Sequence, residues 1–157
     1  PCINPARPPV QLLGVADPRM LRRIAQTLQA MGVSEALVVH GSGLDEVALH
    51  GETLAIRLSG GEISNCMITP EDAGLSREPV SVVTGGDPAE NAARLRALLS
   101  GKGSQAETDI TILNAAALLQ TAGKAKSLID AAAMAREALL SAGAGKVLDA
   151  YIEASRD

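Results

Sequence analysis

Apolar and polar positions along this chain alternate in two rhythms, with a break of four uninterrupted apolar residues at Ala36–Val39. A short continuous run of that kind fits a strand buried on both faces, as in a parallel sheet. The shorter run Gln11–Val15 (QLLGV) reads as a strand of the same type. Between them, Leu21, Ile24, Ala25, Leu28 and Met31 recur at helical spacing and predict one apolar stripe. Asp17-Pro18 supplies an N-cap and a proline at the first helical position, and Gly32 closes the helix. Strand, helix and strand joined by loops this short predict a right-handed βαβ unit.

The rhythm then changes. Val47–Leu49 and Thr53–Ser59 alternate or nearly alternate, with Leu54, Ile56 and Leu58 on one face. Gly60-Gly61 joins that run to Glu62–Thr69, and two glycines between two such runs predict a tight hairpin with positive φ. The remainder is helical. Asp87-Pro88-Ala89-Glu90 is an N-terminal signature ahead of Leu95, Leu98 and Leu99. Thr108–Thr121 is apolar almost all round and predicts a buried helix. Ser127 and Asp130 predict a capping box before a stripe of Ile129, Ala133, Arg136 and Leu140. Gly143 and Gly145 should break that run, and a last helix should carry Leu148, Tyr151 and Ile152. The fold class expected is α/β: a mixed, partly parallel sheet with an antiparallel hairpin, flanked by helices, in one domain.

Composition narrows the function. With 157 residues and 46% apolar content, the chain is long enough for one real core. Its only aromatic residue is Tyr151, so single-stranded nucleic acid would find no stacking platform. A formal charge of −4 gives no footprint for DNA or RNA. Cys2 and Cys66, the only cysteines, make neither a disulfide framework nor a zinc site, and a reducing cytoplasm is the simplest setting. No signal peptide or membrane-spanning apolar run is present. Residues 1–9 contain Pro1, Pro5, Pro8 and Pro9, which predict an extended entry segment. A chain that starts on proline instead of methionine is expected to be processed or a piece of a longer one.

Candidate chemistry centres on Ala36–Glu46, ALVVHGSGLDE. A strand leads through His40 and a Gly41-Ser42-Gly43 turn to adjacent carboxylates, Asp45 and Glu46. Open α/β sheets bind ligands at the carboxyl ends of their strands, and carboxylates placed there can hold a hard cation. Asp45 and Glu46 are therefore the candidates to face a magnesium–phosphate ligand. By itself the dipeptide is common, and a solvated loop or an acidic first turn of a helix accounts for it more cheaply. Val83–Asp87 (VTGGD) imitates a phosphate loop, yet Asp87 puts a negative charge where an anion would sit, which favours a plain turn and cap. His40 and His50 lack partners at triad or metal spacing, and His40 reads as a hydrogen-bonded structural residue. Arg7 reads as exposed or backbone-bonded, Cys66 as a small hydrophobe, and Arg19, Arg22 and Arg23 as a solvated face.

In order, Pro1-Cys2-Ile3-Asn4-Pro5-Ala6-Arg7-Pro8, LLGV, VVHGSGLDEV, ITPEDAGL, GGDPAENAARLRALLSGKG and ILNAAALL resemble anthranilate phosphoribosyltransferases across essentially the whole chain. That family joins anthranilate to phosphoribosyl pyrophosphate with release of pyrophosphate, in tryptophan biosynthesis from chorismate, and uses Mg2+. The resemblance implies a domain of the nucleoside phosphorylase/phosphoribosyltransferase catalytic type, incomplete at its N-terminus. Residues 1–157 would be its later part. It matches Asp45 and Glu46 to the acidic pair that holds magnesium on the pyrophosphate, and Pro1 to a proline near the anthranilate channel. The family's phosphate loop, its Asn-x-Ser-Thr and Lys-His-Gly-Asn-Arg segments and its anthranilate-orienting arginine would lie before Pro1. No catalytic residue is then expected in this chain, and alone it should be inactive. A complementary N-terminal half or self-association should cover its open surface, with a homodimeric parent. The alternatives are a non-catalytic nucleic-acid-binding relative, against which the acidic balance argues, and a nucleoside phosphorylase, against which Asn4–Pro8 and Asp45-Glu46 argue.

Overall fold

The structure, a computed structural model, describes residues 4–141 and 143–156. Four strands form one sheet in the order β1 (Val10–Gly14), β2 (Glu35–His40), β3 (Thr53–Ser59), β4 (Glu62–Ile68). β1 and β2 are parallel, with Leu12 opposite Leu37 and Gly14 opposite Val39; β2–β3 and β3–β4 are antiparallel. The mixed sheet and its helical flanks are those expected. Between β1 and β2 the chain makes a 3-10 turn (Pro18–Met20) and helix α1 (Leu21–Ala30), with Asp17 accepting from the Arg19 amide at 2.9 Å.

β2 is the centre. Ala36, Leu37, Val38 and Val39 are all fully buried, and successive side chains serve opposite layers. Ala36 and Val38 pack with Ala25 and Leu28 of α1 and with Ile56 and Leu58. Leu37 and Val39 pack with Ile112, Leu113, Ala116 and Ala117 of helix α3 (Gln105–Thr121) on the other face. Burying one such Leu or Val side chain contributes about 1.5–3 kcal/mol. Gly60 and Gly61, at φ 55° and 85°, turn β3 into β4 with Ser59 opposite Glu62. That is the backbone a two-residue hairpin of this hand requires.

Helices α2 (Pro88–Leu99), α4 (Leu128–Leu140) and α5 (Gly143–Ala154) complete the α3 side. α3 starts ahead of the apolar run because Ser104 and Glu107 form a reciprocal capping box. In α4 the expected stripe is on the wrong face. Leu128, Ala131, Ala132, Ala135 and Leu139 are buried, whereas Ile129 and Leu140 are 56% and 67% exposed. Ala131, Ala132 and Ala135, flanked by Leu128 and Leu139, make the inner face and pack with Ala116 and Ala117 of α3. Gly143 and Gly145 open α5 instead of breaking α4. Met31 caps α1 from outside and is exposed, and the first strand runs Val10–Gly14, one residue earlier than predicted. The expected extended segment contains a turn, with the Arg7 amide bonded to the Asn4 carbonyl at 3.1 Å. No helix among the described residues is long and apolar enough to cross a membrane.

Candidate active site at the mouth of the sheet

β1 and β2 run parallel, so Gly14 and His40 end at the same rim. From there Gly41–Leu44 forms a tight turn closed by Gly41 N–H to Leu44 O (2.8 Å) and its reciprocal bond (3.1 Å). Ser42 and Gly43 take φ 50° and 101°. His40 supports the turn: its Nδ1 meets the Val15 carbonyl at 2.9 Å and its Nε2 accepts from Gly43 N–H at 3.3 Å. His50 Nε2 donates to Ser42 O at 3.1 Å, and Ser42 Oγ donates to Glu52 O at 2.7 Å. Both histidines thus hold the loop, His40 through both ring nitrogens and His50 through Nε2, with His50 Nδ1 buried and unpartnered among the described residues.

After the turn the backbone crosses directly over the end of β1. A Cβ on Gly14 would stand 1.5 Å from the Asp45 carbonyl oxygen, and one on Gly41 would stand 2.3 Å from that of Glu46. Val47, Ala48 and Leu49 then plunge into the core. The alternating pattern there predicts a strand segment, but the structure has irregular backbone. Side chains replace the ladder: Asn114 Oδ1 accepts from Val47 N–H (2.9 Å), Asn114 Nδ2 donates to Val47 O (3.0 Å), and Thr53 Oγ1 accepts from Ala48 N–H (2.9 Å). Every group so held is one that burial would otherwise penalise.

Asp45 and Glu46 stand exposed at this rim, and both line two clefts. One, of about 510 Å3, lies between Gly14, Val39 and the Ile110, Thr111, Asn114 and Leu118 side of α3. The other, of about 350 Å3, is walled by Val80, Val83, Thr84 and Gly85. Among the described residues neither carboxylate is engaged in an ion pair or a side-chain hydrogen bond. No group of three or more His, Cys, Asp and Glu converges anywhere among those residues. Two free carboxylates are a fitting donor set for magnesium, which prefers oxygen ligands and retains most of its waters.

The second wall is fixed by Arg94, whose Nη1 donates to Thr84 O (2.7 Å) while its Nε pairs with Glu107 (2.6 Å). The Ser104 hydroxyl and amide and the Arg94 guanidinium together hold the Glu107 carboxyl down at about 2. VTGGD is a cap: Asp87 accepts from Glu90 N–H, and Gly86 exchanges two bonds with the Asn91 amide. Arg7 is exposed, and burial raises the half-buried Cys66 thiol as expected for a packed residue. Arg19 pairs with Asp17 and Arg22 reaches Asn65 on the solvated side of α1. Pro1 lies outside the described residues. Sequence reasoning assigned no role to Gly14, Asn114, Thr53 or Arg94. A glycine inside QLLGV and a lone amide inside ILNAAALL were the available signals, the first for a close backbone approach and the second for a satisfied buried polar group.

The chain belongs to the glycosyl transferase family, a/b domain, which it matches over residues 1–145. Among proteins it resembles is the anthranilate phosphoribosyltransferase of Sorangium cellulosum (strain So ce56), 46% identical over 157 residues, covering 100% of this chain and 45% of that one. The crystal structure of anthranilate phosphoribosyltransferase from Thermus thermophilus superposes with a TM-score of 0.82 at 38% identity, over 92% of this chain and 42% of that one. The Saccharomyces cerevisiae enzyme in complex with PRPP and Mg gives a TM-score of 0.82 at 25% identity, with the same coverage of 92% and 42%. The chain therefore spans less than half the length of these relatives.

Proposed function

We propose that this chain is the later part of the α/β domain of an anthranilate phosphoribosyltransferase, and that Asp45 and Glu46 hold magnesium on the diphosphate of phosphoribosyl pyrophosphate. The observation that carries the reading is two adjacent, unpaired carboxylates on backbone that crosses Gly14 and Gly41, at the strand ends where such sheets take ligands. Support comes from the relatives' names and from the yeast complex with PRPP and Mg.

In the reaction the bond from the ribose C1 to the diphosphate oxygen breaks, and the electron pair leaves with diphosphate. A bond from C1 to the anthranilate nitrogen forms, and that nitrogen gives up a proton. Magnesium bound here supplies neutralisation of the charge that grows on the departing oxygens. Asp45 and Glu46 hold the ion, and the crossing over Gly14 and the turn at Ser42-Gly43 keep them at the rim. Ile110 and Leu118 on one side and Val80 and Val83 on the other give the clefts apolar walls. The groups that grip the ribosyl phosphate and orient anthranilate are assigned to the rest of the enzyme. The outer edge of β1 and the exposed Leu140, Val147 and Tyr151 support a complementary segment or a second copy against this chain.

Kinetics of the full-length enzyme test the reading. Asp45→Ala and Glu46→Ala should each raise the KM for phosphoribosyl pyrophosphate or lower kcat, and raise the magnesium needed for half-maximal rate, while the KM for anthranilate stays within about twofold. Unchanged magnesium dependence in both variants would refute it.

A further inference from the structure

α3 is apolar almost all round, yet at its centre Asn114 sits between Leu113 and a run of alanines. The side chain is half-buried, and both its nitrogen and its oxygen are paired within the protein. One Nδ2 hydrogen goes to Ile110 O (3.0 Å), the other to Val47 O (3.0 Å), and Oδ1 takes Val47 N–H (2.9 Å). The first bond locks the amide to its own helix, and the other two grip a residue 67 positions earlier in the chain. Val47 N–H belongs to the peptide that joins Glu46 to Val47. Holding that peptide plane fixes the position of the Glu46 Cα and narrows the backbone rotations open to Glu46, and Asp45 precedes it on the same crossing. Thr53 holds the next amide, and the Gly14 contact presses the crossing from below. Asn114 also lines the cleft that the two carboxylates face.

We propose that Asn114 is a positioning residue for the metal-holding pair: it transfers the rigidity of α3 to the Glu46–Val47 peptide and so presents both carboxylates to one magnesium diphosphate. With both donors spent within the protein, it acts through the backbone that carries the pair. The proposal rests on the assignment of Asp45 and Glu46 above. Residues that orient ligating side chains commonly change metal affinity or activity about 10- to 100-fold when removed, and a loss of that size is expected here.

The experiment is calorimetric titration of the full-length enzyme with magnesium diphosphate, alongside steady-state kinetics and melting temperature. Asn114→Ala should weaken magnesium diphosphate binding about 10- to 100-fold and leave the KM for anthranilate unchanged. Asp109→Asn breaks the ion pair from the same helix to Arg136 (3.2 Å), so it should lower Tm without altering that binding. Equal weakening in Asp109→Asn would overturn the proposal, because any loosening of α3 would then suffice. Intact binding in Asn114→Ala, with weakened binding in Asp45→Asn, overturns the positioning role and leaves the metal assignment standing. Intact binding in Asp45→Asn removes that assignment and the proposal with it. Should Asn114→Ala not fold, hydrogen exchange of the unsubstituted enzyme decides. Magnesium diphosphate should slow exchange at the Val47 amide, and an unaltered rate overturns the proposal.

Discussion

Gly14→Ala is the sharpest perturbation of the site, because it adds one methyl and changes no charge. Gly14 does not have positive φ, so the substitution carries no intrinsic backbone penalty of the left-handed kind. The new Cβ would lie 1.5 Å from the Asp45 carbonyl oxygen, 2.3 Å from its carbon and 2.9 Å from its Cα, all of them backbone atoms. Restoring an ordinary contact near 3.5 Å demands a retreat of about 2 Å by the crossing chain. That retreat pulls against the Asn114 bonds to Val47 and the Thr53 bond to Ala48. Overpacking alone costs about 1–3 kcal/mol, and each strained hydrogen bond adds about 1 kcal/mol. With three such bonds the total is about 4–6 kcal/mol, roughly three to four powers of ten in the population of the intact site. The assay is urea unfolding of the full-length enzyme, with the magnesium concentration at half-maximal rate measured in parallel. Gly123→Ala is the control: φ is 68° and nothing lies within 4 Å, so it should cost about 1–2 kcal/mol and leave the magnesium response alone. If Gly14→Ala kept both its urea midpoint and its magnesium response, the crossing would not be held rigidly over β1.

Two further outcomes are expected. Glu107 has its carboxyl lowered from 4.5 to about 2, so the folded state binds its proton more weakly than the unfolded chain does. Its stabilisation is complete above about pH 4.5 and is lost as pH falls toward 2. Ser104→Ala, which removes a cap worth about 1 kcal/mol, should shrink the difference in urea midpoint between pH 5 and pH 3, and an unchanged difference counts against the assigned cause. The isolated 157-residue chain should form no phosphoribosyl anthranilate, and detectable product in a coupled fluorescence assay would contradict the assignment of the ribosyl-phosphate and anthranilate groups to the rest of the enzyme.

Much of this architecture is legible in the sequence. Uninterrupted Ala36–Val39 marked the central strand, Gly60-Gly61 marked the hairpin, and Asp17, Asp87 and Ser127 marked helix starts, because each depends on local backbone chemistry. The order of motifs also singled out Asp45 and Glu46. Position on a helix face was harder. α4 turns Leu128, Ala131, Ala132, Ala135 and Leu139 inward and leaves Ile129 and Leu140 outside, a choice set by the neighbours it packs against. Val47–Leu49 alternated like a strand but runs irregularly, because its hydrogen bonds go to Asn114 and Thr53 instead of to a neighbouring strand.

By itself, then, the sequence determined the four strands, the turns and the caps, all set within a few neighbouring residues, and drew attention to Asp45 and Glu46. Only the tertiary structure decided where that pair stands. Gly14 must receive the Asp45 backbone and Asn114 must reach Val47, and both contacts join residues far apart in the chain. Such contacts are steric and hydrogen-bonding events between separate elements, so no local pattern encodes them, and they exist only once β1, β2 and α3 have packed.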